Sequence, residues 1–185
     1  KSENKLSLKS DNSDFNLLCL PTDNFPTFGD KFESKEISLN KNQFLKLLNK
    51  TKISISNDDT RHYLNGIFLH VTEGNGRKYF TGVATDSHRL SSSSLEIKGV
   101  ENFNSLILPR KTVYQLCTIL SETDDNLLIQ TGENKIKFIV GKIKLVSKVI
   151  DGKFPDYKKV VPINNDKILN VSSKDFVNSI ERVTS

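Results

Sequence analysis

The chain has 185 residues, of which 26% are charged and 36% hydrophobic, and 27 Lys and Arg against 22 Asp and Glu leave a net charge of +5. That balance describes one or two folded domains, mildly basic at a pI of about 9.1, open to a polyanionic partner but far from the basic density of a histone-like tail. It excludes a helical membrane span, since no apolar run nears the roughly 18–20 residues required.

Behind Lys1-Ser2-Glu3-Asn4-Lys5 there is no apolar h-region, so no signal peptide is expected. Cys19 and Cys117 lie far apart, and neither has a Cys or His at metal-ligand spacing. We therefore expect a reducing cytoplasm, no metal or other cofactor, and both cysteines serving as small buried hydrophobes. Met is absent, including at the first position, so a piece of a longer protein is expected.

In chain order, an apolar alternation over 15–20 ends in Phe25-Pro26-Thr27-Phe28. A short strand, 36–39, leads into a helix over 41–51, with Phe44, Leu47 and Leu48 on one face and Asn42, Lys46, Asn49 and Lys50 on the other. Strands follow over 63–72, 78–86 and 88–97, the first pair turned at Glu73-Gly74-Asn75-Gly76. A strand over 105–109 opens a second helix, 111–121, striped by Val113, Leu116, Cys117 and Leu120. Strands over 126–131, 135–140 and 143–150 come next, turned at Gly132-Glu133-Asn134 and at Gly141. After Phe154-Pro155-Asp156-Tyr157, a strand over 167–171 precedes a third helix that Ser173 would cap and that carries Phe176, Val177 and Ile180.

The order repeats. The two Phe-Pro motifs, and likewise Phe44 and Phe176, stand about 130 residues apart, and helix starts recur about every 65. The half-unit is one strand, one helix and three strands. Two half-units make an α+β domain with its two helices packed on antiparallel sheets. This divides the chain into the end of a preceding copy at 1–35, a complete domain at 36–162 and the start of a following copy at 163–185. A ring is one way for such repeats to close their sheet edges.

The outward face of the first helix has Lys46 and Lys50 and no acid; the second opens with Arg110-Lys111 and meets its one acid at Glu122. The acids gather elsewhere, as at Asp58-Asp59 and Asp124-Asp125. Helix faces of this kind suit phosphates through sequence-independent, salt-dependent contacts, although a Lys-rich solvated face reads the same way.

Enzyme motifs are weak. Asp86, Ser87 and His88 are consecutive, and adjacent strand residues face opposite ways, so they form no hydrolytic triad. His62, His70 and His88 are scattered, Gly74-Asn75-Gly76 is a hairpin turn rather than a phosphate loop, and nothing pairs Asp86 with Asp156. What remains is a binding surface.

Four segments carry a resemblance: Arg61-His62-Tyr63-Leu64-Asn65-Gly66, Val83-Ala84-Thr85-Asp86-Ser87-His88-Arg89-Leu90, Leu108-Pro109-Arg110-Lys111, and the run from Val149 through Asp151-Gly152-Lys153-Phe154-Pro155-Asp156-Tyr157 to Pro162. In this order they resemble the bacterial DNA polymerase III beta subunits, the sliding clamps, over nearly the whole chain. The resemblance implies the DNA-clamp fold and makes 36–162 the middle of three domains. It implies a head-to-tail homodimeric ring of six domains, with helices lining the hole and sheets outside. The ring would encircle duplex DNA and hold the polymerase without catalysing anything itself. The implied partners are the replicative polymerase alpha subunit, the clamp loader and other proteins with short motifs rich in Gln, Leu and Phe.

The matching peptide-pocket positions are Arg61, Tyr63, Leu64, Thr85, Ser87, His88, Arg89, Leu90, Pro155, Lys159 and Val160. The DNA-facing ones are Lys46, Lys50, His62, Tyr63, Arg110 and Lys111. The last pocket wall and the dimer contacts would lie outside this chain, which alone is then expected to be monomeric. Relatives commonly have Gly at Ser87 and often Arg at Lys159, and some have Tyr at His62. Ser87 would narrow the pocket near its floor, and Lys159 offers a point charge where Arg offers a planar fork. A repeat-built interaction scaffold without a DNA role, and a hydrolase using His88 and an acid, are the alternative readings.

Overall fold

Asn40 opens the first helix. Its side-chain oxygen accepts from the Gln43 N–H at 3.1 Å, which satisfies one of the donors a helix start leaves unpaired. The helix, α1, runs Lys41–Thr51 and buries Phe44, Leu47, Leu48 and Thr51. The second, α2, runs Arg110–Glu122 and buries Val113, Leu116, Cys117, Ile119 and Leu120. The computed structural model describes residues 4–25, 32, 36–97 and 103–184. It divides into two units, Lys1–Gly152 and Lys153–Ser185.

The first unit opens with a hairpin of β1 (Lys5–Ser10) and β2 (Ser13–Leu18). Every residue of both strands is exposed, Leu6, Leu8, Phe15 and Leu17 each to more than 40%. Eight further strands form the body: β3 (Glu36–Leu39), β4 (Gly66–Gly74), β5 (Arg77–Thr85), β6 (Leu90–Ile97), β7 (Leu106–Pro109), β8 (Leu127–Thr131), β9 (Lys135–Val140) and β10 (Ile143–Lys148). The order β3-α1-β4-β5-β6 is followed by β7-α2-β8-β9-β10, the expected strand–helix–three-strand unit twice over.

The two halves exchange their first strands. One sheet runs β10-β9-β8-β3 and the other β6-β5-β4-β7, all antiparallel. Each half therefore completes the other's sheet. Gly66 makes one of these pairings possible, because a Cβ there would run into the Leu108 carbonyl. The Ile150 N–H donates to the Ile107 carbonyl at 3.0 Å, so the chain leaving β10 is tied to β7.

Both sheets and both helices share one core. The Phe44 ring lies 6.0 Å from Phe80 on β5 and 6.3 Å from Phe138 on β9. The helices run antiparallel side by side. Lys41, at the start of α1, donates to the Thr123 carbonyl and pairs with Asp124 at 2.9 Å just past the end of α2. At the other end, the Lys52 ammonium sits 5.6 Å over the Tyr114 ring.

In the second unit, a 3-10 turn over Tyr157–Val160 precedes a segment without regular secondary structure and α3, Ser173–Thr184. Phe176, Val177 and Ile180 form one stripe of α3 and are about half exposed.

Several sequence expectations shift. Residues 63–64 belong to a 3-10 helix, Asp59–Leu64, and β4 starts only at Gly66, because Asp58 caps the turn by accepting from the Thr60 N–H at 2.9 Å. Residues 88 and 89 lie in a turn, and 149–150 follow the end of β10. No strand forms over 167–171, since no described neighbour within 153–185 supplies a ladder. The cap of α3 is Ser172 rather than Ser173: its carbonyl accepts the Phe176 N–H at 3.0 Å. Cys117 is buried as expected, but Cys19 is exposed. Pro26, Thr27 and Phe28 of the first Phe-Pro motif lie outside the described residues.

Candidate functional site

The β5–β6 connection is built by its first residue. Thr85 and Leu90 pair across the hairpin, leaving Asp86 to Arg89 as the loop. The Asp86 carboxylate accepts the His88 and Arg89 N–H groups, each at 3.0 Å, and the Arg89 Nε at 3.1 Å. These donors, the Arg89 N–H foremost and then that of His88, pull the Asp86 carboxyl down to about 2. The Thr85 hydroxyl donates to the Arg89 carbonyl at 2.8 Å and accepts from the Ser87 N–H at 3.1 Å. The loop so held puts Ser87 at φ 76°, in the left-handed region.

The 3-10 helix before β4 is organised the same way. Asp58 accepts from the Thr60 N–H and hydroxyl, and its other oxygen accepts from Arg61 Nε at 3.0 Å. The Thr60 hydroxyl, then its N–H, and then the Arg61 guanidinium hold the Asp58 carboxyl below its ordinary value. Arg61 departs from helical geometry at φ −114°, ψ 58°, and its Nη1 donates to the Ser87 hydroxyl at 2.6 Å. A continuous run, Asp58 to Arg61 to Ser87, thus links the two segments.

This draws together much of the peptide-pocket set from the first unit. Arg61 and Ser87 touch directly, and Thr85, Ser87 and Arg89 share the turn. Tyr63 and Leu90 are half-buried, Leu64 is only 2% exposed, and His88 and Arg89 are exposed. Pro155, Lys159 and Val160 belong to the second unit. All three are exposed, Val160 to 69%, and Lys159 pairs with Asp156 at 3.3 Å.

Of the residues expected to face DNA, Lys46, Lys50 and Lys111 are exposed on their helices. Arg110 is half-buried; its N–H donates to the Asn65 carbonyl at 3.0 Å and its guanidinium to the Asn57 side chain. His62 is exposed. Its Nε2 lies 3.2 Å from the Asp151 carbonyl, which can only accept, so that nitrogen carries the hydrogen. The His62 ring meets Tyr63 edge-on at 5.9 Å.

Sequence reasoning missed the parts played by Asp58 and Asp86. Both stand three residues before an arginine that they hold through Nε, Asp58 with Arg61 and Asp86 with Arg89. The repeated Asp-x-x-Arg spacing was the available signal. Asp86 and Asp156 each take their own basic partner, Arg89 and Lys159. Among the described residues no group of three or more His, Cys, Asp or Glu converges, and no helix is long and apolar enough to cross a membrane.

Known proteins resemble the chain along most of its length. The chain is 34% identical over 182 residues to the beta sliding clamp of Caulobacter vibrioides, covering 98% of this chain and 49% of that protein. It is 38% identical over 165 residues to the beta sliding clamp of Escherichia coli K12, covering 89% and 44%. A crystal structure of a Caulobacter crescentus beta sliding clamp superposes with a TM-score of 0.91 at 34% identity, over 98% of this chain and 49% of that one. A Bartonella birtlesii sliding clamp bound to griselimycin superposes at 0.89 with 36% identity, again over 98% and 49%. The chain therefore spans about half the length of the relatives it matches, and its fold is that of the DNA clamp. Residues 38–156 match the DNA polymerase III beta subunit, central domain, and the chain belongs to that family, the beta sliding clamps.

Proposed function

We propose that the polypeptide carrying this chain is a DNA sliding clamp of the bacterial cytoplasm. It forms a homodimeric ring around duplex DNA and tethers the replicative polymerase, with no catalysis of its own. In this reading 36–162 is the complete middle domain, 1–35 ends the first and 163–185 begins the third. The observation that carries it is the agreement of fold and sequence with beta sliding clamps along 98% of the chain.

Two features of the first unit support it. Adjacent antiparallel helices expose Lys46, Lys50 and Lys111, with Glu122 the one acid in either helix. A ring holds DNA by topology, so a few screened phosphate contacts suffice and the modest charge is no obstacle. The second feature is the surface around Arg61, Ser87 and Leu90, which we assign with Tyr63, Leu64, Thr85, His88 and Arg89 to docking short partner motifs; for Pro155, Lys159 and Val160, in the second unit, the same role rests on the family resemblance alone. Half-buried Leu90 offers apolar area, worth roughly 25 cal/mol per Å², and association costs leave such a contact weak and exchangeable.

The complete protein, loaded by its clamp loader, should remain on nicked circular DNA and leave after linearisation; equal retention on both would refute the ring. Lys46→Glu with Lys50→Glu and Lys111→Glu should impair loading while a motif peptide still binds. Arg110 is a poorer choice for that test, because its bonds to Asn57 and Asn65 make it structural as well.

A further inference from the structure

We infer that Ser87 is a positioning residue for Arg61, and that the pair determines which docking peptides the surface selects; this deepens the docking assignment above and rests on it. Arg61 is a long side chain that would ordinarily sample many rotamers. Here its guanidinium is held at two points, Nε by Asp58 at 3.0 Å and Nη1 by Ser87 at 2.6 Å. Those anchors come from separate elements, the turn before β4 and the β5–β6 loop. The plane of the fork is thereby set before any ligand arrives.

The backbone shows that the hydroxyl is held at a cost. Ser87 adopts φ 76°, a conformation Gly takes freely and most L residues resist. Gly would relax the turn but would leave Arg61 Nη1 without its acceptor. A strained residue whose side chain makes one specific bond to a neighbouring segment points to a role for that bond.

The chemistry of the selected group follows. Asp58 already neutralises Arg61, so what this rim offers is a fixed, directional hydrogen-bond donor with little net charge. It favours a peptide presenting an acceptor oxygen, amide or carboxylate, and the preference should survive added salt. Fixing the donor in advance removes part of the ordering cost of binding, which appears as slower dissociation.

The test uses the complete polypeptide and a labelled synthetic peptide bearing a Gln-, Leu- and Phe-rich motif, with affinity, dissociation rate and Tm measured together. Ser87→Gly should melt no lower than wild type yet bind roughly three- to tenfold more weakly, as expected for one lost hydrogen bond. Ser87→Asn tolerates the left-handed backbone and restores an acceptor, so it should recover affinity to within about twofold. In an Arg61→Gln background, Ser87→Gly should add nothing. A purely structural role predicts that Tm and affinity move together. Wild-type affinity in Ser87→Gly, or an undiminished loss in the Arg61→Gln background, overturns the inference. Failure of wild type to bind the peptide, or wild-type binding by Leu90→Asp, overturns the docking assignment itself and this inference with it.

Discussion

Phe44 on α1 packs its ring 6.3 Å from that of Phe138 on β9, joining the helix of the first half-unit to a strand of the second. Both rings are fully buried. With β3 and β7 exchanged between the halves, this contact makes the central domain one folding unit rather than two. Phe44→Ala should cost about 3–5 kcal/mol and keep a single unfolding transition in urea. Two separable transitions would contradict the shared core.

Gly66 and Gly74 occupy the two ends of β4 and should respond oppositely to an added methyl. At Gly66 it meets the Leu108 carbonyl, which is backbone and cannot swing away. Gly66→Ala should therefore destabilise by about 1–3 kcal/mol or more. At Gly74 the nearest atom is a Tyr79 ring carbon at 3.8 Å. Gly74→Ala should be neutral or stabilising by up to about 1 kcal/mol, through the unfolded chain. Equal losses in a denaturant titration would mean that the β4–β7 approach is not close.

Acid should loosen the β5–β6 loop. The folded Asp86 carboxyl sits at about 2 against an ordinary 3.8, so its ionised form stabilises the fold fully above the ordinary value, and that stability is lost as pH falls through about 2. Asp58 and Asp124 are lowered too and act in the same direction. Stability should decline between about pH 4 and pH 2, and Asp86→Asn should be less stable at neutral pH with a shallower decline. A carboxyl NMR titration placing Asp86 at its ordinary value would sink this account.

The two thiols should separate kinetically. Cys19 is exposed, while Cys117 is buried in α2 with its thiol pushed up by burial. Under native conditions a thiol reagent should label one group per chain quickly, and the second only on unfolding. In Cys19→Ser the fast phase should vanish; a persisting fast phase would place Cys117 at the surface.

Element order, both helices of the central domain and their buried stripes were legible in the sequence, because caps and periodicity act over a few residues. Asn40 before Lys41 and the spacing of Phe44, Leu47 and Leu48 suffice for α1. The four motif segments likewise pointed to the family. The coupling of Arg61 to Ser87 was not legible, since it spans 26 residues and depends on a turn geometry set by Asp86 and Thr85. Nor was the loss of residues 63–64 to a 3-10 helix, where the Asp58 cap overrides the β propensity of Tyr63.

The sequence by itself determined the repeated strand–helix–three-strand order, the apolar faces and the lysines of the two helices, because those follow from local spacing. Only the tertiary structure decided which strands pair. β3 joins β8 and β7 joins β4, whereas residues 167–171 find no ladder. A strand's backbone groups are satisfied by whatever neighbour the fold supplies, and that neighbour is remote in sequence. The same holds for the rim, where Asp58, Arg61 and Ser87 become one unit only after β4 and β5 have paired.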